Sequence, residues 1–168
     1  MRRTDFVAAA LIALTLWTGA TRAGEHVAGP IKISDPWARA TPKGARTGSA
    51  YMTLTNTGSE ADRLVGGTAD PAEAFELHRM SMDGGIMKMR AVGGGLVIGP
   101  GQTVRLEPGG YHVMLIDLKE ALVSGRRFKG TLVFEKAGTV EVEYEIRGMG
   151  AEPGDTPATG GHGSHHGQ

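Results

Sequence analysis

The chain has 168 residues, with 18 Lys and Arg against 18 Asp and Glu, so its formal net charge is zero. That balance argues against a nucleic-acid binder, which carries a basic face and a high pI. The length suits one domain, and the complete lack of cysteine removes disulfides, thiol nucleophiles, dithiol redox chemistry and thiolate metal sites.

At the N-terminus, Arg2 and Arg3 precede an apolar run from Phe6 to Trp17, and Thr21 and Ala23 stand at the −3 and −1 positions of a cleavage site. This order is that of a secretory signal, which is expected to span residues 1–23. A membrane anchor needs about 20 apolar residues, and this run is shorter and has no basic cluster behind it. The mature chain is therefore expected to start near Gly24, outside the cytoplasm and without stable membrane insertion. The body over 24–147, about 125 residues, is long enough to bury a core without disulfides.

Along that body, Ile31–Ala40 alternates and breaks at Pro36, which predicts a first or edge strand because proline cannot donate to a ladder. Ser49–Asn56, Asp62–Ala69, 75–82, 86–92, Thr103–Glu107, Tyr111–Leu118 and Phe128–Glu135 read as further strands, separated by Gly, Pro and Asn turns. Thr139–Ile146 alternates cleanly, with Val140, Val142, Tyr144 and Ile146 on one face and Glu141, Glu143 and Glu145 on the other. Leu118–Leu122 could form one helical turn at most. Short strands at regular intervals predict an all-β sandwich or barrel. From Gly148 the composition turns to Gly, Pro, Thr and His without apolar pattern, which predicts a disordered tail over 148–168. His162, His165 and His166 make it a short His-rich tract, a candidate site for Cu(II), Zn or Ni.

Half of the chain's eight methionines fall between Glu76 and Arg90. Asp83-Gly84-Gly85 marks a hairpin there. With Asp83-Gly84 as the loop, His78 faces Met89 and Met80 faces Met87; with Gly84-Gly85, Met80 faces Met89 and His78 faces Ala91. Strand alternation places His78, Met80 and Met82 on one face, and cross-strand partners share it. Further on, His112 and Met114 also share a face. Any one of these methionines reads as ordinary core. Two His–Met pairings in one cysteine-free chain form an imidazole and thioether set, which fits copper and favours Cu(I) over zinc.

These residues resemble the PCuAC-type periplasmic copper chaperones. Ten residues separate His78 from Met89 and one separates His112 from Met114, as in that family's motif. The 22 residues between Met89 and His112 are one more than the usual spacing, in a stretch rich in glycine. "MSMDGGIMKMR", "PGGYHVML", "DPWARATP" and "YMTLTN" are also similar to the family, and the resemblance spans roughly residues 30–147. It implies a cupredoxin-like β-sandwich in the periplasm and a Cu(I) site of His78, Met89, His112 and Met114, with Met80, Met82 and Met87 as neighbours. It also implies delivery of copper to the copper centre of cytochrome c oxidase or related respiratory enzymes. The partners would be a copper-accepting oxidase subunit or another copper chaperone.

Other function classes fit less well. No nucleophile–base pairing is readable, and a blue-copper electron-transfer site would need cysteine, so an enzyme is not expected. A copper-sequestering protein without a dedicated acceptor is the alternative. Cleavage after Ala23 would also leave His26 third from a free amine, a possible square-planar Cu(II) site.

Overall fold

A computed structural model describes residues 25–155. The expected signal over 1–23, Gly24 and the tail histidines His162, His165 and His166 lie outside the described residues. Among the described residues eleven strands run in chain order: β1 (Glu25–Ala28), β2 (Ile31–Arg39), β3 (Thr47–Asn56), β4 (Asp62–Ala69), β5 (Ala72–Asp83), β6 (Ile86–Ala91), β7 (Leu96–Ile98), β8 (Thr103–Leu106), β9 (Tyr111–Leu118), β10 (Arg127–Phe134) and β11 (Gly138–Arg147). Among the described residues there is no helix. The expected helical turn at Leu118–Leu122 is instead a bend. It is pinned where the Leu122 amide donates to the Thr41 hydroxyl at 2.9 Å and the Leu122 side chain is buried.

The strands form one open sheet in the order β6-β5-β9-β8-β3-β2-β11-β10-β4-β7, with β1 added beside β2 and a further β3–β9 pairing. The sheet folds over so that β4 meets β5. At Gly67 of β4, an added Cβ would lie 3.1 Å from the Phe75 ring of β5 and 2.2 Å from the Thr131 carbonyl, so only glycine permits that approach. Between the layers lies one apolar core in which Ile31, Ile33, Leu54, Leu64, Ile98, Val113, Leu132 and Val142 are fully buried. Alternation supplies it. In β11, Val142, Tyr144 and Ile146 are buried while Glu141 and Glu143 face water and pair with Lys129 and Arg127 of β10.

Strand β2 departs from the sequence expectation. It is interior, flanked by β1 and the parallel β11 on one side and by β3 on the other. Pro36 is tolerated because it falls at a break: the β1 ladder ends at Ser34, the β11 ladder begins at Trp37, and the β3 register shifts between them. Asp35 there adopts φ 53, and its carboxylate pairs with the Arg147 guanidinium. A bulge admits proline where a continuous central ladder would not.

The apolar contacts also run past Arg147. Ala151 is buried against Trp37 and Tyr51, and its carbonyl accepts two hydrogen bonds from Arg39, at 3.0 and 2.8 Å. The expectation of an unpacked tail from Gly148 onward does not hold for these first residues.

Candidate metal centre

Strands β5 and β9 pair antiparallel, with Phe75 opposite Leu115, Glu76 opposite Met114, Leu77 opposite Val113 and His78 opposite His112. Leu77, Val113 and Leu115 belong to the core. Alternation therefore turns Glu76, His78, His112 and Met114 to the other face of the ribbon. The two imidazoles, far apart in sequence, become direct cross-strand neighbours with ring centroids 5.9 Å apart. Cross-strand pairing alone brings them this close; no loop is involved.

Each ring has one nitrogen engaged and one left over. His112 is only 4% exposed, and its Nδ1 lies 3.2 Å from the Gly110 carbonyl. A carbonyl only accepts, so Nδ1 carries the proton and Nε2 keeps its lone pair. Burial pushes the His112 pKa below the ordinary histidine value; the Gly110 carbonyl pulls it up and the neighbouring His78 pulls it down again. The net shift favours the neutral ring, the form that binds metal. His78, whose side chain is 14% exposed, lies with Nε2 2.9 Å from a Glu76 carboxylate oxygen. That contact puts the proton on Nε2 and leaves Nδ1, which is buried and has no hydrogen-bond partner. An orphaned buried nitrogen is costly unless something binds it.

The methionines join this face through the hairpin. Gly84 and Gly85 both take positive φ, 58 and 79, the signature of a two-residue type I′ turn. Of the two registers open in the sequence, the structure adopts the Gly84-Gly85 loop: Met82 pairs with Met87, Met80 with Met89 and His78 with Ala91. The direct His78–Met89 pairing does not occur, because Asp83 stays in the strand opposite Ile86. The two registers differ by two residues, so the same side chains share the face in either. Met89 is then a diagonal neighbour of His78, and Met114 lies one step along β9 from His112.

Among the described residues no three His, Asp or Glu side chains gather as a metal group. A metal at the His78–His112 pair would draw its remaining ligands from thioethers. The N-terminal His26 is elsewhere, in the β1–β2 ladder opposite Ile33. Its Nε2 accepts from the Glu143 amide at 3.4 Å. Amide chelation of Cu(II) there would pull Glu25 and His26 out of that ladder. Sequence reasoning missed Glu76, although the signal was present: Glu-x-His in a strand puts both side chains on one face.

The fold is shared with known proteins. Residues 31–146 match the family model described as "Putative lipoprotein LpqE-like". The chain is 32% identical over 150 residues to "Putative lipoprotein Lxx21020" of Leifsonia xyli subsp. xyli, covering 86% of this chain and 89% of the relative. Among solved structures, it is similar to the "Apo PCuAC domain from PmoF1" (TM-score 0.63, 31% identity, 74% of this chain and 98% of that one). It is also similar to the "Copper-bound PCuAC domain from PmoF2" (TM-score 0.61, 31% identity, 73% and 96%). A third match is the solution structure of "CuI-DR1885" from Deinococcus radiodurans (TM-score 0.57, 31% identity, 70% and 78%). The match takes in β2 to β10 whole and nearly all of β11, and with them every candidate ligand of the β5–β9 face: the chain belongs to the LpqE-like family, and its folded body is a cupredoxin-like PCuAC domain.

Proposed function

We propose that this protein is an exported Cu(I) carrier that acts in the periplasm and delivers copper to the copper centre of cytochrome c oxidase or a related respiratory enzyme. The observation that carries the reading is the cross-strand pair His78–His112, each ring with one nitrogen fixed by an acceptor and the other free. His112 binds through Nε2, His78 through Nδ1, and Met114 and Met89 supply sulfur. The copper-bound state of two similar domains supports the same reading.

Copper is cargo here, and the residues suit a cargo site. Four neutral ligands hold Cu(I) without the charge of thiolates, so a thiolate-bearing acceptor can take the ion. Met89 is 48% exposed, which leaves one side of the centre open to an incoming ligand while His112 stays in place. Glu76 completes a carboxylate–imidazole–metal arrangement of the kind that orients metal ligands. We read the protein as a carrier and not an enzyme, because such a set, once closed, leaves no position for substrate. The LpqE-like relative is named a lipoprotein, which fits export; the 168 residues of this chain contain no thiol for lipid attachment.

Anaerobic Cu(I) titration against a chromophoric competitor tests the assignment. His112→Ala and Met114→Leu are each expected to weaken binding at least tenfold, about 1.4 kcal/mol, with the far-ultraviolet dichroism of the sheet preserved. Unchanged affinity in the double variant would overturn the ligand set. Truncation after Asp155 is expected to leave this Cu(I) affinity intact and to remove any Cu(II) uptake by His162, His165 and His166.

A further inference from the structure

The β5–β6 hairpin carries more sulfur than one centre uses. Met80 pairs with Met89 and Met82 with Met87, two successive rungs on the face that holds His78. The outer rung is open to water: Met82 is 68% exposed and Met87 59%. The opposite face of the same hairpin carries Arg79, Ser81, Asp83, Ile86, Lys88 and Arg90; there Lys88 pairs with Asp83 and Arg79 lies over the Tyr111 ring at 5.2 Å. The hairpin is therefore two-sided, mostly charged and polar on one face and thioether on the other. Packing does not account for the thioether face, because core methionines are buried and Met82 and Met87 are among the most exposed apolar side chains described.

We propose that the outer rung is a second Cu(I) site, formed by the thioethers of Met82 and Met87 with Met80 from the next rung, where the ion lands before it reaches the two histidines. This rests on the copper-carrier reading and extends it. Directly opposed side chains in a ladder have Cβ atoms about 4.5–5.5 Å apart, and methionine has three rotatable bonds. Two sulfurs on one rung can thus converge on one ion, and the third reaches it from the same face. Thioethers select Cu(I) among biological metals, and a site without imidazole or charge binds less tightly than the inner one. The two sites therefore stand in the order that inward movement needs. The rung between them, Met80 and Met89, touches both, so the ion never has to leave sulfur on the way.

The test uses the mature full-length chain with Cu(I) and a competitor, and Ag(I) as a diamagnetic stand-in followed through the methionine methyl resonances. Wild type is expected to show one tight event and a second at least tenfold weaker, with the Met82 and Met87 methyls moving in the second. M82L/M87L keeps the apolar bulk and removes the sulfur; it should lose the weak event and keep the tight affinity. His112→Ala should do the reverse. The proposal is overturned by a weak event that survives in M82L/M87L, by wild type without a second event, or by Met82 and Met87 methyls that stay still. The last two are also the outcomes expected if this face only docks a protein partner. Loss of the tight event in wild type would instead defeat the carrier reading, so the two failures are told apart.

Discussion

Glu76 shows how much one contact behind a candidate ligand can decide. Its carboxylate is a single hydrogen bond from His78 Nε2, yet that bond selects which ring nitrogen is left for an ion. Removing it in Glu76→Ala frees the ring to flip or change tautomer. Loss of such an orienting partner typically weakens metal affinity 10–100-fold, and we expect a loss in that range for Cu(I), with Glu76→Gln retaining more because its amide oxygen still accepts. Long-range imidazole nitrogen spectra check the cause: the His78 Nδ1 resonance should shift with metal in wild type and lose its fixed protonation pattern in Glu76→Ala. If the variant binds as tightly as wild type, Glu76 has no orienting role. The shared faces of His78 with Met80 and of His112 with Met114 were legible at this scale, because spacings of two in a strand put side chains on one side. Which ring nitrogen is left free was not, since it depends on Gly110 and Glu76 as acceptors, and hydrogen-bond partners do not appear in a spacing pattern.

Among the strands and turns, the local signals were mostly sufficient. Asp62–Ala69 and Tyr111–Leu118 lie where alternation and turn residues put them. β1 and β7 were missed for physical reasons: each is very short, and β7 lies between glycine clusters, so neither has enough residues to show a period. The hairpin register depended on one choice between Asp-Gly and Gly-Gly, settled by two adjacent residues that both need positive φ, the conformation glycine accepts most readily. The turn between β10 and β11 depends on a contact from outside it. The buried Asp62 carboxylate accepts the amides of Lys136 and Arg63 on one oxygen, at 2.9 and 2.7 Å, and Ala137 on the other, at 2.9 Å. Burial alone would raise its pKa, but these amides, with the Lys136 charge, hold it below the ordinary carboxylate value. Because the folded value is the lower one, the stabilisation is present above the unfolded value of about 3.9 and is lost as pH falls through the folded value. Asp62→Asn puts an amide donor where an acceptor is needed and should cost about 1–3 kcal/mol at pH 7. Urea unfolding at pH 7 and pH 3 checks it: the gap between variant and wild type should narrow at the lower pH, and a gap that is constant with pH would mean that Asp62 does not act through its charge.

At the scale of the whole molecule, the all-β class followed from composition and strand spacing. The closing contacts did not. Arg39, Trp37, Tyr51 and Ala151 meet from opposite ends of the body, a long-range arrangement with no local trace in a segment that reads as Gly- and Pro-rich tail. Trp37 is also covered by the Arg147 guanidinium at 5.1 Å, which ties the last strand to the bulge in β2 that admits Pro36.

The β5–β9 ladder also links folding to cargo. His78 and His112 become neighbours only once strands distant in sequence have paired, so the unfolded chain lacks this paired centre and Cu(I) held there would favour the native state. Cu(I) at a hundred times its dissociation constant should then add about 2.7 kcal/mol of stability, seen as a higher melting temperature that His112→Ala does not show. An equal rise in that variant would mean that the ion binds elsewhere. If the chain is exported unfolded behind the signal expected over 1–23, it cannot bring an ion at this centre with it: it would leave the cytoplasm empty and take on copper only where its sheet closes.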